Sequence, residues 1–218
     1  MESLHVYCAG PLFNKSERDE MTAIADELVR AGHSVYLPHR DGMEFRLVSD
    51  VLVDRGWNRE VAGQFLHEAI FALDVYQLAV ACDVMVWNMN GRVPDEGAVS
   101  EAAMAWSLGK PLIAYRDDAR SLIAGRTNPL LAGLVDFTTV HEVCHIPAAL
   151  VVETERTQIR PVDLECLSAK MKAACERGAQ LWSALQSENA FGENLLIADC
   201  VTTLFAPASV HKLQTSSR

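Results

Sequence analysis

Positive charge is in short supply: 19 Lys and Arg against 29 Asp and Glu leave a formal net charge of −10 over 218 residues. That balance excludes a nucleic-acid groove, which needs basic patches to neutralise phosphates. No Cys-x-x-Cys pair occurs among Cys8, Cys82, Cys144, Cys166, Cys175 and Cys200, and several of these lie in apolar runs. A thiol there acts as a small core residue, so a disulfide framework is excluded and a reducing compartment is expected. His141, Cys144 and His145 form the one ligand-like cluster, without a second cluster to complete a tetrahedral zinc site. They read as ordinary residues of a short helix or loop, and no metal is expected. Long uninterrupted hydrophobic runs are missing too: the longest, Phe71 to Trp87, carries Asp74 and Asp83. Such a run spans no bilayer, and Met1-Glu2-Ser3 leads into an alternating segment rather than a leader. A cytoplasmic protein with no membrane partner is expected. Internal repeats and low-complexity segments are absent.

What is present is apolar material, half of all residues, enough for a substantial core. Leu4 to Ala9 alternates like a strand and ends at Gly10-Pro11. Ser16, with Asp19 three residues on, looks like a helix start. Met21, Ile24, Ala25, Leu28 and Val29 keep helical spacing until Gly32. His33 to Leu37 is a second strand. Residues 39 to 58 show no clear period and read as a long loop. Arg59 to Cys82 is helical with a break near Asp74. Val84 to Asn88, Pro111 to Tyr115 and Phe137 to Val140 read as strands three to five, with a helix over Ala98 to Leu108. The alternation predicts a five-stranded parallel sheet with helices on both faces, over residues 1–150. Glu153 to Thr157 reads as a polar linker. Residues 151–218 form a C-terminal helical extension, with one amphipathic helix over Asp163 to Leu185, a second over Glu193 to Phe205, and a polar tail from Gln214.

The chemistry concentrates in Asn90-Gly91-Arg92-Val93-Pro94-Asp95-Glu96-Gly97-Ala98-Val99-Ser100-Glu101. This turn leaves the carboxyl end of strand three, where open α/β sheets place their ligands. Glu101 is expected in the first helical turn, where unpaired N–H groups lower a carboxyl pKa and keep it ionised. An ionised carboxylate in that place can act as a nucleophile, and Asp95 in the turn puts a second carboxyl nearby for acid–base work.

The chain resembles the nucleoside 2-deoxyribosyltransferase family. The matching segments are Val6-Tyr7-Cys8-Ala9-Gly10-Pro11-Leu12-Phe13, Gly91 to Glu101, Ala105, Gly109-Lys110-Pro111 and Asn128-Pro129-Leu130-Leu131, over roughly the first two-thirds. The resemblance implies a flavodoxin-like (Rossmann-like) α/β fold and transfer of a 2-deoxyribosyl group between nucleobases, in nucleotide salvage. Deoxynucleosides and free nucleobases are then the partners, no cofactor is needed, and a homo-oligomer of two or more chains forms. By the same resemblance Glu101 is the nucleophile at C1′, Asp95 contacts the base and shuttles its proton, and Tyr7 lies beside the nucleophile. Gly10 and Gly97 belong to the substrate-binding turns. Asn128 reaches the sugar, in several members from a neighbouring subunit, and Asp74 binds a sugar hydroxyl. Two departures stand out: Asp74 lies one residue farther from Asp83 than the family pattern, and Ala103 replaces a common Gly.

Each residue has a plainer role. Glu101 is then only an acidic residue in a first helical turn, Asp95 an Asx turn, Tyr7 a core aromatic, Gly10 a chain turn and Asn128 a helix cap. Asp74 is then the ion-pair partner of a basic residue on a helix face. Phe45 and Trp57 either stack on a base or anchor the long loop to the core. Arg92 guards the pocket, binds a phosphate or is a surface charge. Two other functions fit the same pattern: an N-glycoside hydrolase of nucleosides or nucleoside 5′-monophosphates, and a non-catalytic nucleotide-binding module.

Overall fold

The computed structural model describes residues 3–91, 93–118, 127–187 and 193–207. The chain divides into two compact units, Met1–Asp41 with Gln77–Asp163, and Gly42–Tyr76 with Leu164–Arg218.

The first unit is an α/β sheet. Strands β1 (His5–Ala9), β2 (Ser34–Tyr36), β3 (Val84–Asn88) and β4 (Leu112–Tyr115) run parallel in the order β2-β1-β3-β4. β3 and β4 are buried throughout, and β1 is buried from its second residue, as apolar strands covered on both faces must be. Alternation sorts their side chains between two layers. Val6, Cys8, Val84 and Val86 pack with Met21, Ile24 and Leu28 of α1 (Lys15–Arg30) and with Ile146 and Leu150 near the start of a later helix. Tyr7, Met85 and Trp87 take the opposite face. Helix α1 is capped by Asn14, not Ser16: Glu17 N–H donates to Asn14 Oδ1 (3.0 Å) and Asn14 N–H to Glu17 Oε2 (3.2 Å). The capping box therefore lies two residues earlier than the sequence suggests, because Asn14 and Glu17 satisfy the same spacing. Gly32, at φ 93°, ends α1 as expected.

Among the described residues the sheet has four strands, not five. Phe137 to Val140 fails as a strand because Asp136 and Phe137 adopt left-handed backbone, φ 48° and 61°. Only Val140 pairs, as a parallel bridge to Tyr115, with Val140 N–H donating to Ala114 O and Arg116 N–H to Val140 O, both 2.8 Å. The architecture remains an α/β parallel sheet consistent with a flavodoxin-like fold.

The second unit is helical. Residues 39 to 58 are not a loop: α2 (Pro38–Asp41) closes the first unit's segment, and α3 (Phe45–Asp54) opens the second with Val48, Ser49 and Leu52 buried. Helix α4 (Arg59–Tyr76) gives way to a π-helical segment, Gln77–Ala81, so the irregularity expected near Asp74 falls just after Tyr76. Phe65, Leu66 and Leu73 of α4 meet Leu181, Ile197, Val201 and Phe205. Trp57 lies in this core edge-on to Phe65, and Phe45 packs beside it and against His67, so both anchor the segment.

Helices α5 (Glu96–Ser107), α6 (Pro129–Gly133) and α7 (Ile146–Thr157) complete the first unit, and α8 (Ala169–Leu185) and α9 (Glu193–Phe205) the second. The proposed linker Glu153 to Thr157 is the end of α7, its polarity explained by Arg156 and Thr157 bonding Glu153. The helix foreseen from Asp163 starts only at Ala169, capped by Ser168, after a short 3-10 turn at Leu164–Cys166. Arg92 and the tail from Gln214 lie outside the described residues. Among the described residues no helix is long and apolar enough to cross a membrane.

Gly178 of α8 packs directly on the α4 backbone. A Cβ there would stand 2.1 Å from Ala72 O and 2.6 Å from Tyr76 Cβ. Gly178→Ala is expected to cost roughly 3 kcal/mol of stability, because backbone rather than a flexible side chain must move. Chemical denaturation measures it; a variant as stable as the wild type would show that the contact is not tight.

Candidate active site

The order β2-β1-β3-β4 places a topological switch point between β1 and β3, where the loops leaving their carboxyl ends diverge. Gly10 follows β1. It needs to be glycine for space: a Cβ would lie 2.5 Å from Met21 Sδ and 2.7 Å from Asn88 Cβ. Gly91, after β3, is glycine for conformation, at φ 114°.

The turn after β3 ends at Asp95, the N-cap of α5, whose Oδ1 accepts from Ala98 N–H at 2.7 Å. Gly97 keeps this cap open, since a Cβ would press to 3.1 Å from that same oxygen. Ala98, Ala102 and Ala105 are buried along one side of α5, small enough to let it lie on β1, β3 and β4. Glu101 projects with them. Tyr7 Oη donates to Glu101 Oε1 at 2.7 Å, joining β1 to α5 across 94 residues of chain.

The electrostatics of Glu101 correct the sequence reading. α5 begins at Glu96, so Glu101 lies in the second turn, beyond the orphan N–H groups. Burial of its carboxyl pushes the pKa up to about 7; the Tyr7 hydrogen bond opposes that rise and the Asp95 charge adds to it. The residue as a whole stays partly open to solvent.

The structure thus brings Tyr7, Glu101 and Asp95 together. Asn128 caps α6, its Oδ1 accepting from Leu130 N–H at 3.0 Å. Asp74 is a half-buried residue of α4, in the second unit. Ala103 is exposed on α5.

The sequence reading did not single out Asn90. Its Nδ2 donates to Glu20 Oε1 and Asp117 Oδ1, both at 2.7 Å, and its Oδ1 accepts from Asp117 N–H and Asp118 N–H at 3.1 and 3.0 Å. Asn88 Nδ2 donates to the other oxygen of Glu20 at 2.8 Å. A cavity of about 340 Å³ opens beside this network, lined by Pro11, Ser16, Glu17, Glu20, Asn90, Gly91, Asp117 and Asp118. It is acidic and does not include Glu101. The Asn-Gly pair was the available signal, but it reads first as a turn.

Fold and site define an α/β protein with a carboxyl–phenol pair and a capping aspartate at the carboxyl edge of a parallel sheet. Residues 6–159 match the model of the nucleoside 2-deoxyribosyltransferase family, and the chain belongs to that family. Among solved structures it is similar to a conserved protein from Enterococcus faecalis V583, at 18% identity and a TM-score of 0.44, over 71% of this chain and 99% of that one. No curated protein matches the sequence.

The raised pKa has a definite sign for stability. Unfolded, the Glu101 carboxyl ionises near 4.5, and folded near 7. Its contribution is therefore complete below the unfolded value and is lost as pH rises through the folded one. Glu101→Gln is expected to gain on the wild type by on the order of 1–3 kcal/mol between about pH 5 and pH 8. Paired denaturation curves test this; a difference that does not change with pH would contradict the raised pKa.

Proposed function

We propose that the protein transfers a 2-deoxyribosyl group between nucleobases through an ester on Glu101. The observation that carries this reading is the 2.7 Å Tyr7–Glu101 hydrogen bond at the switch-point edge. One phenol donor fixes one carboxylate oxygen and leaves the other to attack.

The ionised Glu101 oxygen bonds to C1′ as the C1′–N bond breaks, and the bonding pair leaves with the base. Positive charge on the sugar at the transition state is stabilised by the same carboxylate, more strongly in a desolvated site than in water. Asp95 Oδ1 is held by Ala98 N–H, and Oδ2 has no hydrogen-bond partner among the described residues. A proton taken up from solvent on that oxygen passes to the departing base nitrogen. The acceptor base then attacks C1′, the ester C–O bond breaks, and Asp95 takes up the proton that the acceptor loses. Tyr7, bonded to the oxygen that does not attack, holds the carboxylate in place and stabilises it as a leaving group.

Incubation with a deoxynucleoside and a different free base is expected to give the exchanged deoxynucleoside, and Glu101→Ala to abolish it. A 2-fluoro-2-deoxy nucleoside should leave a sugar adduct on Glu101 by mass spectrometry. The acid limb of kcat/KM is expected at a pKa of about 7, and Tyr7→Phe should move it to higher pH, since the lost bond favours the anion. Free sugar formed equally with and without acceptor base would replace transfer by hydrolysis. Transfer that survives Glu101→Ala would overturn the nucleophile.

The same reading makes the protein a homo-oligomer, with Asn128 serving a neighbour's sugar site. Light scattering is expected to give at least twice the chain mass; a fully active monomer would contradict it.

A further inference from the structure

We propose that Glu142, Cys144 and His145 form a surface site for a borderline transition-metal cation, with zinc as the natural occupant. The carboxylate, thiol and imidazole ligand atoms lie within 4.8 Å of one another, and Cys144 Sγ stands 3.7 Å from Glu142 Oε2. Bond lengths of about 2.0–2.3 Å to zinc require ligand-to-ligand spacings of roughly 3.3–3.8 Å in a tetrahedron. One pair already meets this. The others need only a modest turn of exposed side chains.

The backbone beneath them is fixed on both sides. Val140 is tied into the sheet by its bridge to Tyr115, and His141 Nδ1 lies 2.6 Å from Arg116 O. His145 N–H donates to Glu142 O at 3.0 Å, closing the 3-10 turn Val143–His145. Ile146 is buried immediately after it. Three donors spread over four residues are thus held on one rigid turn.

Donor chemistry selects the cation. A thiolate with an imidazole suits zinc and its neighbours, whereas magnesium and calcium demand oxygen ligands. Binding releases the Cys144 proton; thiolate and carboxylate then neutralise the divalent charge, which offsets the unfavourable positive end of α7. Three protein ligands leave one position for water. A thiol–carboxylate hydrogen bond alone would account for the 3.7 Å approach but not for the imidazole in the same cluster. The sequence offered His141, Cys144 and His145 as ordinary residues with no metal expected; in the structure Glu142 joins the cluster instead of His141, whose Nε2 lies 3.4 Å from Thr139 Oγ1.

The test is a cobalt(II) titration of the full, tag-free, chelator-stripped chain, followed by absorption. One equivalent is expected to raise a thiolate-to-cobalt charge-transfer band with the strong visible bands of a tetrahedral centre, and zinc should bleach both. Cys144→Ser should abolish the charge-transfer band, and Cys166→Ser should leave it intact. His145→Ala should weaken binding by more than about tenfold, the loss typical even of an outer partner. All three side chains are exposed, so the variants keep the fold. Absence of the band, its survival in Cys144→Ser, or unchanged affinity in His145→Ala would overturn the proposal.

Discussion

One buried amide holds the carboxyl edge of the sheet together. Asn90 spends both donors on Glu20 and Asp117 and receives two backbone N–H groups, from Asp117 and Asp118. It therefore joins the helix after β1, the turn after β3 and the segment after β4 at a single side chain. A buried amide with its bonds made rigidifies its surroundings, and the same amide with one bond missing destabilises them. The turn that delivers Asp95 to the head of α5 starts from this point.

The carboxyl at the centre is governed by two opposed influences. Burial disfavours its charge, and the Tyr7 hydroxyl favours it. The first prevails, leaving a group that exchanges its proton near neutrality. In the transfer proposed above, that balance suits a carboxylate that bonds to carbon and then leaves it. A fully stabilised anion would be a poorer nucleophile, and a fully protonated one would be none.

Strands and site differ in how far they could be read from the chain. β3 was read to its ends because Val84 to Asn88 is a short apolar run, and β1 to its carboxyl end because Gly10-Pro11 closes it. α3 was missed because its apolar face, Val48 and Leu52 with Phe45 beside them, is short and follows a polar Arg-Asp-Gly stretch. The supposed fifth strand has strand-like composition, but two left-handed residues at its start defeat pairing. That Glu101, Asp95 and Tyr7 would lie close together was legible from their motifs. The ionisation of Glu101 was not, because it depends on where α5 begins and on what β1 places beside it. Asn90 was hidden for a related reason: Glu20 lies 70 residues away and Asp117 lies 27 away.

The second unit is assembled from two separated stretches, Gly42–Tyr76 and Leu164–Arg218. During synthesis α3 and α4 leave the ribosome long before α8 and α9 exist. Phe65, Leu66 and Leu73 must then wait, wet, for Leu181, Ile197 and Val201. The sheet's strands all precede that point, so its hydrogen-bonded ladder can close while the helical unit is still half made. A nascent chain stalled before α8 would carry an unpaired apolar helix face, the kind of surface that chaperones hold and proteases find.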